Sequence, residues 1–140
     1  MPEATFTTFL ATAFATLERE VPWAYVGVAR GLAPRVVRLD VDGEVVGLRC
    51  APRAVSVERD VEHPTIAVRT GRADILAVID AEASLLSAVL DDRLHLQGSP
   101  DDLLAFHDAL MLWVHGAVRA PSFPGLLRSF RGVRGVGAAA

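Results

Sequence analysis

Apolar residues recur at helical spacing from Ala4 to Glu20, where Phe6, Phe9, Leu10, Ala13, Phe14 and Leu17 share one side and Thr8, Thr12, Thr16 and Arg19 the other. The spacing predicts an amphipathic helix that Pro22 stops. Trp23 to Ala29 then reads as a short strand with Tyr25 and Trp23 pointing one way, and Gly31 and Pro34 mark a turn. The period changes to two in Val36–Val41 and again in Val45–Cys50, separated by Asp42-Gly43, the dipeptide that favours a type I′ hairpin. Counting outward from that turn sets Leu39 opposite Val46 and Val37 opposite Leu48, with Arg38, Asp40 and Arg49 together on the other face. One face is dry and one wet, as in a sheet covered on one side. Val55-Ser56-Val57 is positioned to extend the sheet, and Thr65–Arg69 supplies a further strand with Ile66 and Val68 on one face.

Helical spacing returns in Ala73–Ile79 and Ala83–Leu90, followed by a strand over Arg93–Gln97. Ser99-Pro100-Asp101-Asp102 then combines a cap, a first-turn proline and acids at a helix start. The helix it opens, to about Val118, is apolar around most of its circumference, with Leu103, His107, Leu110, Met111 and Val114 at the centre and Phe106 and Trp113 on one shoulder. Such a helix needs cover on more than one side, from protein, tail or ligand.

The chain has 140 residues, 51% hydrophobic and 22% charged, which is the composition of one compact domain and excludes a disordered polymer. Residues 1–118 form the expected single domain and 119–140 a basic tail or lid. A lone cysteine excludes an internal disulfide framework and fits a reducing compartment. The absence of a leader pattern and of an 18-residue apolar run makes the cytoplasm the expected location. The net charge of −3 divides unevenly: residues 1–118 carry 10 Arg and 17 acids, whereas 119–140 carry 4 Arg and no acid. A body this acidic argues against nucleic acid as a partner.

No Gly-x-Ser-x-Gly, phosphate-binding loop or His-Glu-x-x-His occurs. His63, His95, His107 and His115 do not fall at metal-ligand spacing, so neither metal nor cofactor is expected. Cys50 lies on the dry face of its strand and reads as a small buried hydrophobe, not a nucleophile. No nucleophile, base and orienter come together, and a non-enzyme is expected. His107 admits two readings, a core histidine bonded to a carbonyl or a polar anchor for a lipid headgroup. The tail admits three. Phe123, Leu126, Leu127, Phe130 and Val133 alternate with Arg128, Arg131 and Arg134, which suits a lid over a pocket, a disordered segment weakened by Gly125, Gly132, Gly135 and Gly137, or weak contact with an anionic membrane.

Four segments occur in an order that resembles the sterol carrier protein 2 lipid-binding domain: Val36-Val37-Arg38-Leu39-Asp40-Val41-Asp42-Gly43-Glu44, Pro64-Thr65-Ile66-Ala67-Val68-Arg69-Thr70, Ala73-Asp74-Ile75-Leu76-Ala77-Val78-Ile79 and Asp92-Arg93-Leu94-His95-Leu96-Gln97-Gly98. The chain departs from that family in Gly98-Ser99-Pro100-Asp101, where Gly-Asp is usual, and in ending Ala138-Ala139-Ala140 instead of a peroxisomal tripeptide. The resemblance implies an α+β fold, a five-stranded mixed or antiparallel sheet with helices on one face and an apolar cavity between. It implies non-catalytic binding or transfer of a lipid, whether fatty acid, acyl-CoA, sterol or isoprenoid. The lipid-binding residues it points to are Ile75, Ile79, Leu86, Val89, Phe106, His107, Leu110, Met111 and Trp113. The rival reading is an interaction module whose last helix binds a partner protein or a second copy of the chain as a homo-oligomer.

Overall fold

The computed structural model describes residues 5–80, 87 and 91–139, without the side chains of Ile79 and residues 132–139. Among these residues the order is α1 (Phe6–Glu20), α2 (Pro22–Leu32), β1 (Val36–Val41), β2 (Glu44–Ala51), β3 (Ala54–Glu58), β4 (Ile66–Thr70), α3 (Arg72–Ile79), β5 (His95–Gln97), α4 (Pro100–Ala117) and α5 (Phe123–Ala139). The strands lie side by side as β3-β2-β1-β4-β5, with β1 and β4 parallel and the other neighbours antiparallel. The fold is therefore α+β with a mixed five-stranded sheet, as expected. Of the second helix expected in this region, 83–90, only Ser87 is among the described residues, and it is helical.

The hairpin has the register that its turn dictates, Leu39 opposite Val46 and Val37 opposite Leu48. Asp42 and Gly43 both adopt positive φ, 55° and 88°, the conformation a type I′ turn requires and the reason this pair occupies it. Alternation then sends Val37, Leu39, Val41, Val46, Leu48 and Cys50 into the core, while Arg49, Arg69, His95 and Gln97 stay exposed. The helices cover the apolar face.

Residues 23–29 are helical rather than a strand. Pro22 ends α1 but also occupies the first turn of α2, where its missing N–H costs nothing. Val21, Ala24, Tyr25, Val28, Ala29 and Leu32 are all buried, an i, i+3, i+4 stripe that the aromatic and β-branched content of the segment obscured. Tyr25 Oη also accepts a hydrogen bond from Val55 N at 3.0 Å, tying α2 to the edge strand β3.

The tail is helical as well. Its glycines lower intrinsic helicity, but tertiary contacts outweigh them. Phe123 and Phe130 are buried; Phe130 is 1% exposed and stacks on Phe9 with centroids 4.2 Å apart. The Arg72 guanidinium lies 5.2 Å from the Phe130 centroid, and Arg131 pairs with Asp80. Ser122 donates from both N and Oγ to the Glu20 carboxylate, whose pKa these bonds hold below the ordinary range. Phe123 and Phe130 of the tail thus pack against α1 and belong to the core.

Glu44, the first residue of β2, reaches the start of α1 and accepts from Phe6 N at 3.0 Å, Thr7 N at 2.8 Å and Thr7 Oγ1 at 2.7 Å. Partial burial opposes its ionisation, but the hydrogen bonds from Thr7 and Phe6 outweigh that and hold the carboxyl below the ordinary range.

Two predictions follow from these contacts. Removing the Phe130 ring leaves a cavity beside Phe9, so Phe130→Ala lowers unfolding free energy by roughly 3–5 kcal/mol, read by urea denaturation, with the sheet still formed. Because the Glu44 pKa is depressed by folding, its contribution is present above the unfolded value of about 4.3 and disappears as pH falls through the lower folded value. Glu44→Gln is accordingly about 1 kcal/mol less stable than the parent at pH 7, and in melts the gap narrows progressively as pH is taken below the unfolded value of about 4.3.

Candidate functional site

The space between the sheet and the helices is an apolar pocket with a volume of about 150 Å³. Helix α1 contributes Phe6, Phe9, Leu10 and Phe14 to its wall, and α2 contributes Val28 and Leu32. The floor is the dry face of the sheet, Leu39, Val41, Leu48 and Val68, the same alternating positions that the hairpin turn sends inward. Ile75 of α3 and Leu94 close one side, and Phe106, Ala109, Leu110 and Trp113 of α4 the other. Thr70 supplies a hydroxyl in this lining, and that hydroxyl already donates to the Arg93 carbonyl oxygen at 2.8 Å.

Helix α4 sits close enough to complete the wall because small residues face its neighbours. A methyl group added at Gly116 would stand 2.5 Å from the Ala24 Cβ and 2.8 Å from Leu17 Cδ1, so only glycine allows this approach. At the other end of α4, Ser99 caps the helix by accepting from Asp102 N at 3.1 Å. Arg35 donates to Asp102 Oδ1 at 2.7 Å and holds that carboxyl below its ordinary pKa range.

Of the residues singled out from the sequence, Ile75, Phe106, Leu110 and Trp113 come together in the lining. His107 does not: its side chain is 49% exposed and its Nδ1 lies 3.2 Å from Asp108 Oδ1 on the outer surface. Met111 is half-buried and outside the lining. The physical reason is a rotation of the buried stripe. Ala109, Trp113, Gly116 and Ala117 face inward, since close helix packing buries small residues, whereas counting large apolar side chains centres the stripe on His107. The side chain of Ile79 and residues Leu86 and Val89 lie outside the described residues.

The α1, α2 and sheet residues of the wall were not singled out. For α1 and the sheet the signal was present, since those residues lie on faces already legible as dry; for Val28 and Leu32 it was hidden by the strand reading of α2, and nowhere was it legible which dry faces meet. Phe123 and Phe130 do not line the pocket; they pack behind Phe6, Phe9 and Trp113, which do.

Cys50 is 5% exposed on the inner face of β2, and burial pushes its thiol pKa up to about 11. The thiolate is scarce at neutral pH, and nucleophilic chemistry at this position is disfavoured. A colorimetric disulfide reagent at pH 8 therefore titrates no thiol in the native protein over minutes and one per chain in urea; fast native reaction would contradict the burial.

No family model matches the chain, and no curated protein matches it. Solved structures do. The sterol carrier protein domain 2 of Helicoverpa armigera superposes with a TM-score of 0.60 at 10% identity, over 82% of this chain and 94% of that one. A UbiJ-SCP2 ubiquinone synthesis protein gives 0.56 at 19% identity, over 74% and 90%. The apo form of sterol carrier protein 2 from Yarrowia lipolytica gives 0.56 at 8% identity, over 80% and 94%.

Proposed function

From a chain that has the sterol carrier protein 2 fold, we propose that it binds lipid-like molecules by their hydrocarbon parts, without catalysis, in the pocket between sheet and helices. The observation that carries this reading is the lining itself: sixteen of the seventeen wall residues among those described are apolar and the remaining one, Thr70, has its hydroxyl occupied by a backbone carbonyl. Such a surface attracts hydrocarbon and offers little to water or to a charged group. The ligand classes to test are fatty acids, acyl-CoAs, sterols and isoprenoids.

The volume sets the scale. A dry cavity of about 150 Å³ in another protein takes up one benzene ring, and pockets for drug-sized molecules span ~300–1,000 Å³. The described walls therefore suit a segment of about six carbons. At ~0.8 kcal/mol per buried methylene this supplies roughly 5 kcal/mol before the entropic cost of association, so six-carbon probes bind at about millimolar affinity at best. Longer chains gain affinity to the extent that further carbons find cover.

Native mass spectrometry of gently purified protein, together with saturable displacement of a fluorescent fatty acid, tests the proposal. Absence of both co-purified lipid and saturable probe binding overturns it. Ala109 is 4% exposed and lines the pocket, so Ala109→Leu fills it from within. That variant binds probe at least tenfold more weakly while its melting temperature holds or rises, because a void is replaced by contacts.

A further inference from the structure

Helix α4 buries one face and leaves the other open. Ala109, Trp113, Gly116 and Ala117 are buried, whereas Leu104, Met111 and Val118 recur at heptad spacing on the opposite side, with His107 and Val114 between them. Leu104 is 61% exposed and Val118 69%, and the His107 side chain, 49% exposed, stands in the same row. Among the described residues the other exposed large apolar side chain is Trp23, in the turn of α2 whose Ala24 packs on Gly116. Apolar positions alternately three and four apart form the kind of seam through which two helices pair.

The charges that flank this seam select its partner. Asp101 and Asp108 are exposed on the N-terminal half of α4, and His115 and Arg119 are exposed at its C-terminal end. Two α4 helices laid antiparallel set the acids of each against the basic end of the other, whereas a parallel pair sets acid against acid. A twofold axis near Met111 then makes the patch self-complementary, with Leu104 directed toward the partner's Val118. An anionic membrane fits less well, because Asp101 and Asp108 would be pressed against like charge. We propose that the outer face of α4 is a homodimer interface in which two copies of the chain pair antiparallel through Leu104, Met111 and Val118. The inference does not depend on what the pocket binds. A contact along a helix about 27 Å long is at the small end of specific interfaces, so dimer and monomer exchange.

Sedimentation equilibrium of the full-length protein over about 10–500 μM gives masses that rise from the 15.0 kDa of one chain toward twice that value. Met111→Glu, at the centre of the seam, abolishes the rise while the circular dichroism spectrum and melting temperature of dilute protein stay the same. Orientation is read by cysteine cross-linking. Cys50 is 5% exposed and stays silent, and positions 104 and 118 are roughly 21 Å apart along the helix. Leu104→Cys and Val118→Cys chains form a disulfide with each other when mixed, and neither does so alone. Should Met111→Glu fail to fold, the cross-linking decides alone. A single 15.0 kDa species at every concentration, a dimer that Met111→Glu leaves intact, or like cysteines that couple only with like overturns the proposal. So does a protein that stays monomeric yet co-sediments with phosphatidylcholine–phosphatidylglycerol vesicles in a Met111-dependent way, which assigns the face to a lipid surface instead.

Discussion

The carboxylates of one hairpin turn determine where two helices begin, and the rest of the pocket depends on that clamp. Glu44 receives the first N–H groups of α1, while Asp42 Oδ2 accepts from Arg72 N at 2.9 Å at the start of α3. In both cases a negative charge meets unsatisfied donors at the positive end of a helix dipole. Because the two acids flank a single glycine, the β1–β2 turn sets the separation of α1 from α3 at the end of the sheet. Phe6 and Phe9 on one helix and Ile75 on the other are thereby brought into the same pocket wall. Arg72 links the two sites again, 3.5 Å from Glu44 Oε1 on one side and over the Phe130 ring on the other.

A layer of aromatic rings carries this arrangement outward to the C-terminal helix. Phe6 and Phe9 both line the pocket and contact Phe130, Phe9 by stacking at 4.2 Å, and Trp113 meets Phe123 edge on at 5.5 Å. The tail therefore supports the pocket wall from behind and is part of the core. Its polar attachments are at the surface, Ser122 to Glu20 at one end and Arg131 to Asp80 at the other. Exposed pairs of this kind contribute little compared with ring burial, so the stability of the tail resides mainly in its two phenylalanines.

The α2–α4 contact follows a different rule. There the requirement is close approach, met by Ala24 and Gly116. Larger residues are displaced to the flanks, which places Trp113 and Leu110 against the pocket and sends His107 to solvent. An almost wholly apolar wall on this side of the pocket results from this rotation.

The sequence by itself determined what depends on neighbours in the chain. The Asp42-Gly43 turn specifies its own backbone conformation, and the period of two then dictates the register and dry face of the hairpin without any distant residue. Helix α1 and the Ser99 cap of α4 are legible for the same reason. Only the tertiary structure decided the rest. Residues 22–32 contain enough β-branched and aromatic side chains to suit either period, and burial beneath α4 selects the helix. The glycine-containing tail forms a helix because Phe123 and Phe130 find rings to pack on, a contact more than 110 residues distant in the chain. The face that α4 buries was hidden because contact between helices selects for small size, and pattern reading weighs hydrophobicity. The pocket lining is the intersection of several dry faces, and which faces meet is a property of packing.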